Sequence, residues 1–326
     1  MSSHFRPAWW MVNKHAQTIL PRFFRPKLKL TYQLESLSTP DQDFIELAWG
    51  CPIAKNDTKP LAIIFHGLEG NIHSFYAKGM MKAMQDNGFD TVLMHFRNCS
   101  AAPNKTARAY HSGETSDARF LITHLKEQFP NKKIVAVGFS LGGNMLSKYL
   151  GEYQNDSHLD SAAVVSAPFD LASSCQVIQQ SLGKIYQKYL LDRLKHSTGR
   201  KESLIEPLLG LNKQDIKNIP CLWEFDDKVT APLHGFKNAK DYYNKASSKA
   251  YLIKITTPTL IIHSVDDPML SIKSVPDSSH VSKHVDLEIT EKGGHVGFIS
   301  GKNPFKPIFW LEQRIPEYFK KQLNIK

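Results

Sequence analysis

Apolar residues in this chain fall into two alternating kinds of pattern. FIELAWG (44–50) switches sides residue by residue, the period of a strand with one covered face. LAIIFHG (61–67), TVLMHFR (91–97), KIVAVGFS (133–140), SAAVVSAP (161–168) and TLIIHSV (259–265) are more continuously apolar. Such runs read as strands covered on both faces of a parallel sheet. HVDLEIT (284–290) alternates again. Between the runs the period lengthens. In SDARFLITHLKEQF, Ala118, Leu121, Ile122, Leu125 and Phe129 fall on one helix face, and Met145, Leu146 and Tyr149 start another helix after Gly143. Strand, helix, strand, helix predicts a doubly wound α/β architecture, a mostly parallel central sheet with helices on both faces.

The alternation stops between about 170 and 255. There Ile178, Leu182, Ile185, Tyr186, Tyr189 and Leu190 recur at helical spacing, and the strand pattern resumes at Thr259. A helical insertion late in a parallel sheet is expected to lie as a cap over the carboxyl ends of the strands, where open α/β sheets bind ligands. Residues 1–35 hold no long periodic element and read as an aromatic, basic arm. The expected organisation is therefore an arm (1–35), a core in two pieces (36–169 and 256–326) and a helical cap (170–255).

One junction carries chemistry. Gly138-Phe139-Ser140-Leu141-Gly142 fits G-x-S-x-G between a predicted strand and a predicted helix. That context suits a nucleophile on a strained corner, where glycines let the crossing chain approach. A serine hydroxyl is a poor nucleophile at neutral pH and needs a base, which in turn needs an orienting acid. On such a corner the acid and then the histidine follow the serine in chain order. TLIIHSVDDPML ends a buried strand in Asp266 and Asp267, and EKGGHVGF places His295 after two glycines. Asp267 is followed by two residues and then an aliphatic one, Leu270, which favours it as the acid; Asp266 stays as the alternative. Acyl transfer also needs two backbone N–H groups aimed at the developing oxyanion. Leu141, next to the serine, and Leu68, after the His66-Gly67 strand end, are the expected donors. His66 is expected to shape that loop rather than act as a second base. In the polar loop HFRNCSAAPNKTARAYHSGETSD, Arg97, Asn98, Arg108, His111 and Glu114 are candidates to brace the site or to bind a polar substrate group, and a hydrogen-bonded bracing network is the expected role.

Composition narrows the partners. The formal charge of +10 is spread along the chain without a basic block, and no nucleic-acid signature accompanies it. A nucleic-acid partner is not expected. Peripheral contact with a membrane surface stays open, through Trp9, Trp10 and the charge. The four cysteines are scattered without metal-ligand spacing and read as reduced thiols of a cytoplasmic protein. The amino-terminal stretch shows no signal-peptide core and no run is long enough to span a bilayer. No metal motif, P-loop or dinucleotide fingerprint is present, so no metal or cofactor is expected.

Beyond G-x-S-x-G, the chain resembles the YheT-like branch of the α/β hydrolases. NKHAQTILP (13–21), FHGLEGN (65–71), MHFRNCSAAPN (94–104), YHSGETSD (110–117), GFSLGGN (138–144), EFDDKVTAPLHGF with DYY (224–243), HSVDDP (263–268) and GGHVGF (293–298) carry the likeness over nearly the whole length. That branch also holds yeast medium-chain ethyl ester synthase/esterases and mammalian α/β-hydrolase-domain lipases. The resemblance implies the α/β-hydrolase fold and cleavage of carboxylic esters, often of medium acyl length. It implies Ser140 as nucleophile, an aspartate of the DDP pair as acid and His295 as base. Two departures are visible. The membrane anchor of the mammalian members is not found here, and Ala102 replaces an acidic residue in the SAAPN loop. Transfer of the acyl group to an alcohol, or a binding role on the same scaffold, are the alternative readings.

Overall fold

The computed structural model describes residues 5–25, 28–51, 53 and 57–325. Eight strands form one sheet: β1 (Gln33–Ser38), β2 (Phe44–Trp49), β3 (Leu61–Phe65), β4 (Asp90–His95), β5 (Ile134–Phe139), β6 (Ser161–Val165), β7 (Thr259–Ser264) and β8 (Val285–Thr290). Their spatial order is β1-β2-β4-β3-β5-β6-β7-β8. β1 and β2 pair antiparallel, as do β2 and β4; every pairing from β4 to β8 is parallel. The continuously apolar runs are thus the central parallel strands. Alternate residues feed two cores: Ile63 and Phe65 on one face, Ala62 and Ile64 on the other.

Two helices of the amino-terminal stretch come first, α1 (Lys14–Ile19) and α2 (Pro21–Phe24). α3 (Phe75–Asp86) and the carboxy-terminal helix Leu311–Leu323 cover one face of the sheet, burying Met80, Met84, Ile315 and Phe319. α4 (Ser116–Gln128) and α5 (Leu141–Tyr153) cover the other with Leu121, Leu125, Met145 and Tyr149. The strand β1 begins at Gln33, inside the stretch read as an arm. Its residues, QLESLS, are mostly exposed, so this edge strand shows no apolar alternation to find.

Between β6 and β7 the chain is helical: α6 (Leu171–Ile178), α7 (Gly183–Gly199), α8 (Glu202–Leu209), α9 (Lys213–Asn218), α10 (Leu222–Phe225), α11 (Ala231–Leu233) and α12 (Ala239–Ala246). These helices close two small cores of their own, one around Leu171, Tyr242 and Tyr243, the other around Leu191, Ile205 and Phe225. Leu68, in the loop after β3, packs against the second. The parallel strands leave one common edge at their carboxyl ends. Ser140 follows β5 there, Ser166 follows β6, Asp266 and Asp267 follow β7, and His295 follows β8. No described helix is long and apolar enough to cross a membrane.

Candidate active site

Ser140 forms the corner between β5 and α5 with φ 50° and ψ −117°. Few residues bearing a Cβ occupy that region, and it is held only where the surroundings over-determine it. Here the surroundings are backbone. The Ser140 N–H donates to the Val165 carbonyl at 2.9 Å. A Cβ on Gly138 would lie 2.5 Å from the Gly142 carbonyl oxygen, and one on Gly142 would lie 2.4 Å from the His66 carbonyl oxygen. Hydrogen at both positions lets the corner press against its own first turn and against the loop after β3.

Three side chains meet at this corner. His295 Nε2 lies 2.9 Å from Ser140 Oγ, and His295 Nδ1 lies 2.7 Å from Asp267 Oδ2. This geometry suits one tautomer: Nδ1–H donating to the carboxylate, with Nε2 free to accept from the hydroxyl. Asp267 is buried, and its other oxygen accepts from the Met269 N–H at 2.8 Å. Asp266 does something different. Its Oδ1 accepts from the Gly294 N–H at 2.9 Å and from the Ser264 hydroxyl, which ties the histidine loop to the end of β7.

The histidine loop is clamped further by distant residues. Thr18 Oγ1, on α1, accepts from the His295 N–H at 2.9 Å. Ser166 Oγ accepts from the Val296 N–H at 3.1 Å. Gln17, wholly buried, grips Ile299 from both sides: its Nε2 donates to the carbonyl at 3.0 Å and its Oε1 accepts from the N–H at 2.7 Å. His15 then joins α1 to α7, its Nδ1 2.8 Å from the Tyr186 hydroxyl with the rings stacked. Sequence reasoning missed Gln17, Thr18 and Ser166 as parts of the site. The first two stood inside NKHAQTILP, noted for its likeness but without a role.

Leu68 and Leu141 both border the same cavity as Ser140 and His295. Leu141 opens α5, where N–H groups lack intrahelical partners. The loop carrying Leu68 is rigidly held. Gly67 N–H donates to the Tyr76 hydroxyl at 2.8 Å, and Glu69 N–H donates to the Tyr110 hydroxyl at 2.8 Å. Tyr110 in turn donates to Glu69 Oε1 at 2.9 Å. Burial pushes the Glu69 carboxyl up to about 7. His66 has both ring nitrogens occupied, Nε2 accepting from the Phe96 N–H at 3.1 Å and Nδ1 facing the Gly67 carbonyl at 2.7 Å. Burial lowers its pKa to about 3, so it stays neutral and shapes the loop.

The polar loop after β4 divides. Arg97 pairs bidentately with Asp117 at 2.7 Å and reaches Asp41 at 2.7 Å and Asp43 at 3.2 Å. Arg108 pairs with Glu114 at 2.8 Å, and Asn98 donates to the Ser197 carbonyl at 2.8 Å. These four sit outside the cavity; His111 borders it. The cavity spans about 750 Å³ including the solvent space at its mouth and is walled by Leu171, Ile178, Leu190, Leu194 and Leu222 of the insertion. All four cysteines are free thiols, and Cys175 also borders this cavity. No cluster of three or more His, Cys, Asp or Glu among the described residues is arranged to hold a metal ion.

A strained serine, an imidazole within hydrogen-bond reach and a buried carboxylate behind it form the arrangement that activates a hydroxyl for acyl chemistry. Comparison with known proteins gives the family. Residues 60–302 match the family described as alpha/beta hydrolase fold. The chain is 42% identical to YheT of Escherichia coli K12 over 325 residues, covering all of this chain and 95% of that one. It is 31% identical to the monoacylglycerol lipase of Saccharomyces cerevisiae, covering 76% of this chain and 57% of the yeast protein. The human phospholipase ABHD3 is 25% identical over 91% of this chain and 74% of its own length. Among solved structures, the Pyrococcus furiosus esterase Pf2001 superposes with a TM-score of 0.57 at 16% identity, over 90% of this chain and 93% of that one, a likeness of fold. The chain belongs to the α/β hydrolases, in the branch that holds YheT, and is a hydrolase with esterase and lipase relatives.

Proposed function

We propose that this enzyme cleaves carboxylic esters of short to medium acyl length through an acyl-enzyme on Ser140. The observation that carries the reading is the unbroken contact Ser140–His295–Asp267, at 2.9 and 2.7 Å. His295 Nε2 takes the hydroxyl proton as Oγ attacks the ester carbonyl. Asp267 holds the tautomer that leaves Nε2 basic and stabilises the imidazolium that forms. The N–H groups of Leu68 and Leu141 receive the oxyanion; loss of one such donor typically costs 10² to 10³ in turnover. His295 then protonates the leaving alcohol. Water, deprotonated by the same imidazole, attacks the acyl-enzyme and releases the acid. The leucine-walled cavity favours an apolar acyl chain. Residues 170–255 act as the cap that sets its length. The unpaired thiols fit a reducing compartment, the cytoplasm.

The test is hydrolysis of an ester series of graded acyl length by the purified protein. Turnover is expected to peak at short to medium chains and to fall about 10⁴-fold or more in Ser140→Ala. Ester turnover preserved in that variant rejects the mechanism. Added ethanol that is converted into ethyl ester, at the expense of free acid, assigns the protein to acyl transfer instead.

A further inference from the structure

Asp226 is the one carboxylate among the described residues that border the active-site cavity, and the catalytic cycle does not use it. It is the third residue of EFDDKVTAPLHGF and starts a π-type turn, Asp226–Thr230. Such turns are rare and recur at functional sites. Its partners are two hydroxyls. Thr230 Oγ1 donates to Oδ1 at 2.7 Å, and the Tyr243 hydroxyl donates to Oδ2 at 2.6 Å. An ionised carboxylate offers about four acceptor positions, so about half are taken.

Among the described residues no cation pairs with this group. Burial pushes the carboxyl up to about 6, and the two hydroxyls only partly offset that effect. Of the other side chains lining the cavity, His111 is kept neutral by burial, which lowers its pKa to about 3, and Leu171, Ile178 and Leu222 are apolar. If the side chain served only to tie Thr230 to Tyr243, a neutral acceptor would do so without the cost of burying an uncompensated acid. A carboxylate that faces an apolar substrate cavity with unused acceptor positions is a recognition group.

We propose that Asp226 accepts a hydrogen bond from a hydroxyl group of the substrate, so that the enzyme selects esters bearing a hydroxyl on the portion held in the cavity. This rests on the ester-hydrolase reading above. A hydroxyl fits better than an ammonium group, which would bring a second desolvated charge against leucine walls. The hydroxyl can belong to a hydroxyacyl chain or to a polyol leaving group; the chemistry at Asp226 is the same.

Paired esters separate the two sources. One arm compares p-nitrophenyl octanoate with p-nitrophenyl hydroxyoctanoates substituted at successive carbons. The other compares propyl octanoate with 1-monooctanoyl glycerol. Wild-type kcat/KM is expected to rise about tenfold for a hydroxylated ester in one arm, the effect of a hydrogen bond to a charged acceptor. Asp226→Asn is expected to cut that ratio several-fold, and Asp226→Leu combined with Tyr243→Phe to bring it near unity, each variant being checked for its melting transition. The proposal fails if no hydroxylated ester outruns its unsubstituted partner in the wild type. It fails equally if a preference survives in the folded double variant. Should the variants not fold, the wild-type ratios decide alone. Absence of turnover on every ester, with no reaction toward a fluorophosphonate, would instead mark failure of the hydrolase reading.

Discussion

The two halves of the candidate site are held in place by opposite means. The serine half is local. Ser140 is strained by the strand and helix on either side of it, and Gly138 and Gly142 clear the space that the crossing backbone needs. The histidine half is assembled from afar. The His295 loop is held by Thr18, 277 positions earlier, by Ser166 through the next residue, and by Asp266 through the preceding one. A nucleophile needs a fixed orientation on a rigid corner. A base on a loop needs its backbone N–H groups tied down, because a loop supplies no ladder of its own.

That contrast can be broken at several points. The largest effect separates the two aspartates of one dipeptide. Asp267→Asn is expected to lower kcat about 10⁴-fold, since the amide favours the wrong imidazole tautomer. Asp266→Asn, which only weakens the tie to Gly294, is expected to cost about tenfold. Steady-state kinetics on a soluble ester checks both; the reverse ranking moves the acid to Asp266.

Next comes the serine corner. In Gly142→Ala the new methyl would lie 2.4 Å from the His66 carbonyl oxygen and 2.6 Å from that of Phe65. Neither atom can yield without shifting the end of β3 and the loop that follows it. The variant is expected to lose about 1–3 kcal/mol of stability, read by denaturant titration, and to lose activity with it. A fully stable, fully active variant contradicts the packing account of this corner.

A smaller effect is expected at the histidine clamp. Thr18→Val removes the acceptor for the His295 N–H. We expect kcat to fall about tenfold with KM nearly unchanged, and Thr18→Ser to restore it. An equal loss in Thr18→Ser, or a loss confined to KM, removes Thr18 from the account.

The smallest effect uses acid to distinguish the halves. Arg97, in the same polar loop as Tyr110, pairs with Asp41 and Asp43, away from the histidine loop. Burial alone would raise the Asp41 carboxyl, but hydrogen bonds from Arg97 and Thr39 outweigh it and hold the pKa at about 2, below the ordinary 3.8. A depressed acid stabilises the fold above its unfolded pKa and loses that contribution as pH falls through the folded value. Thermal stability is therefore expected to decline between about pH 4 and pH 2. Asp41→Asn is expected to flatten the decline slightly, because the group is partly exposed. An unchanged slope removes Asp41 from the acid response.

The same contrast explains what was legible before the structure. The parallel strands declared themselves because burial on both faces demands continuous apolar runs, as in LAIIF and IVAVGF. β1 did not, because an exposed edge strand has no such demand, and its QLESLS looks like loop. Ser140 was legible because its requirements are met by adjacent glycines within one pentapeptide. His295 followed from chain order and its two preceding glycines. Gln17, Thr18 and Ser166 were hidden because they act on backbone atoms far along the chain, and a hydroxyl or amide that holds a distant N–H leaves no local pattern. The spacing to Leu270 favoured Asp267 over Asp266 in the sequence, but their different contacts were not legible: both carboxylates bond to the same loop, Asp267 at the His295 ring and Asp266 at the Gly294 N–H.

The central claim is that Ser140, His295 and Asp267 work as one unit to make the serine reactive. Mass-spectrometric mapping of the protein after treatment with a fluorophosphonate tests it most directly. The account predicts a single adduct, on Ser140, formed rapidly in the wild type and slowed by orders of magnitude in His295→Ala. An adduct on another residue, or an unslowed adduct on Ser140 in a folded His295→Ala variant, would contradict it.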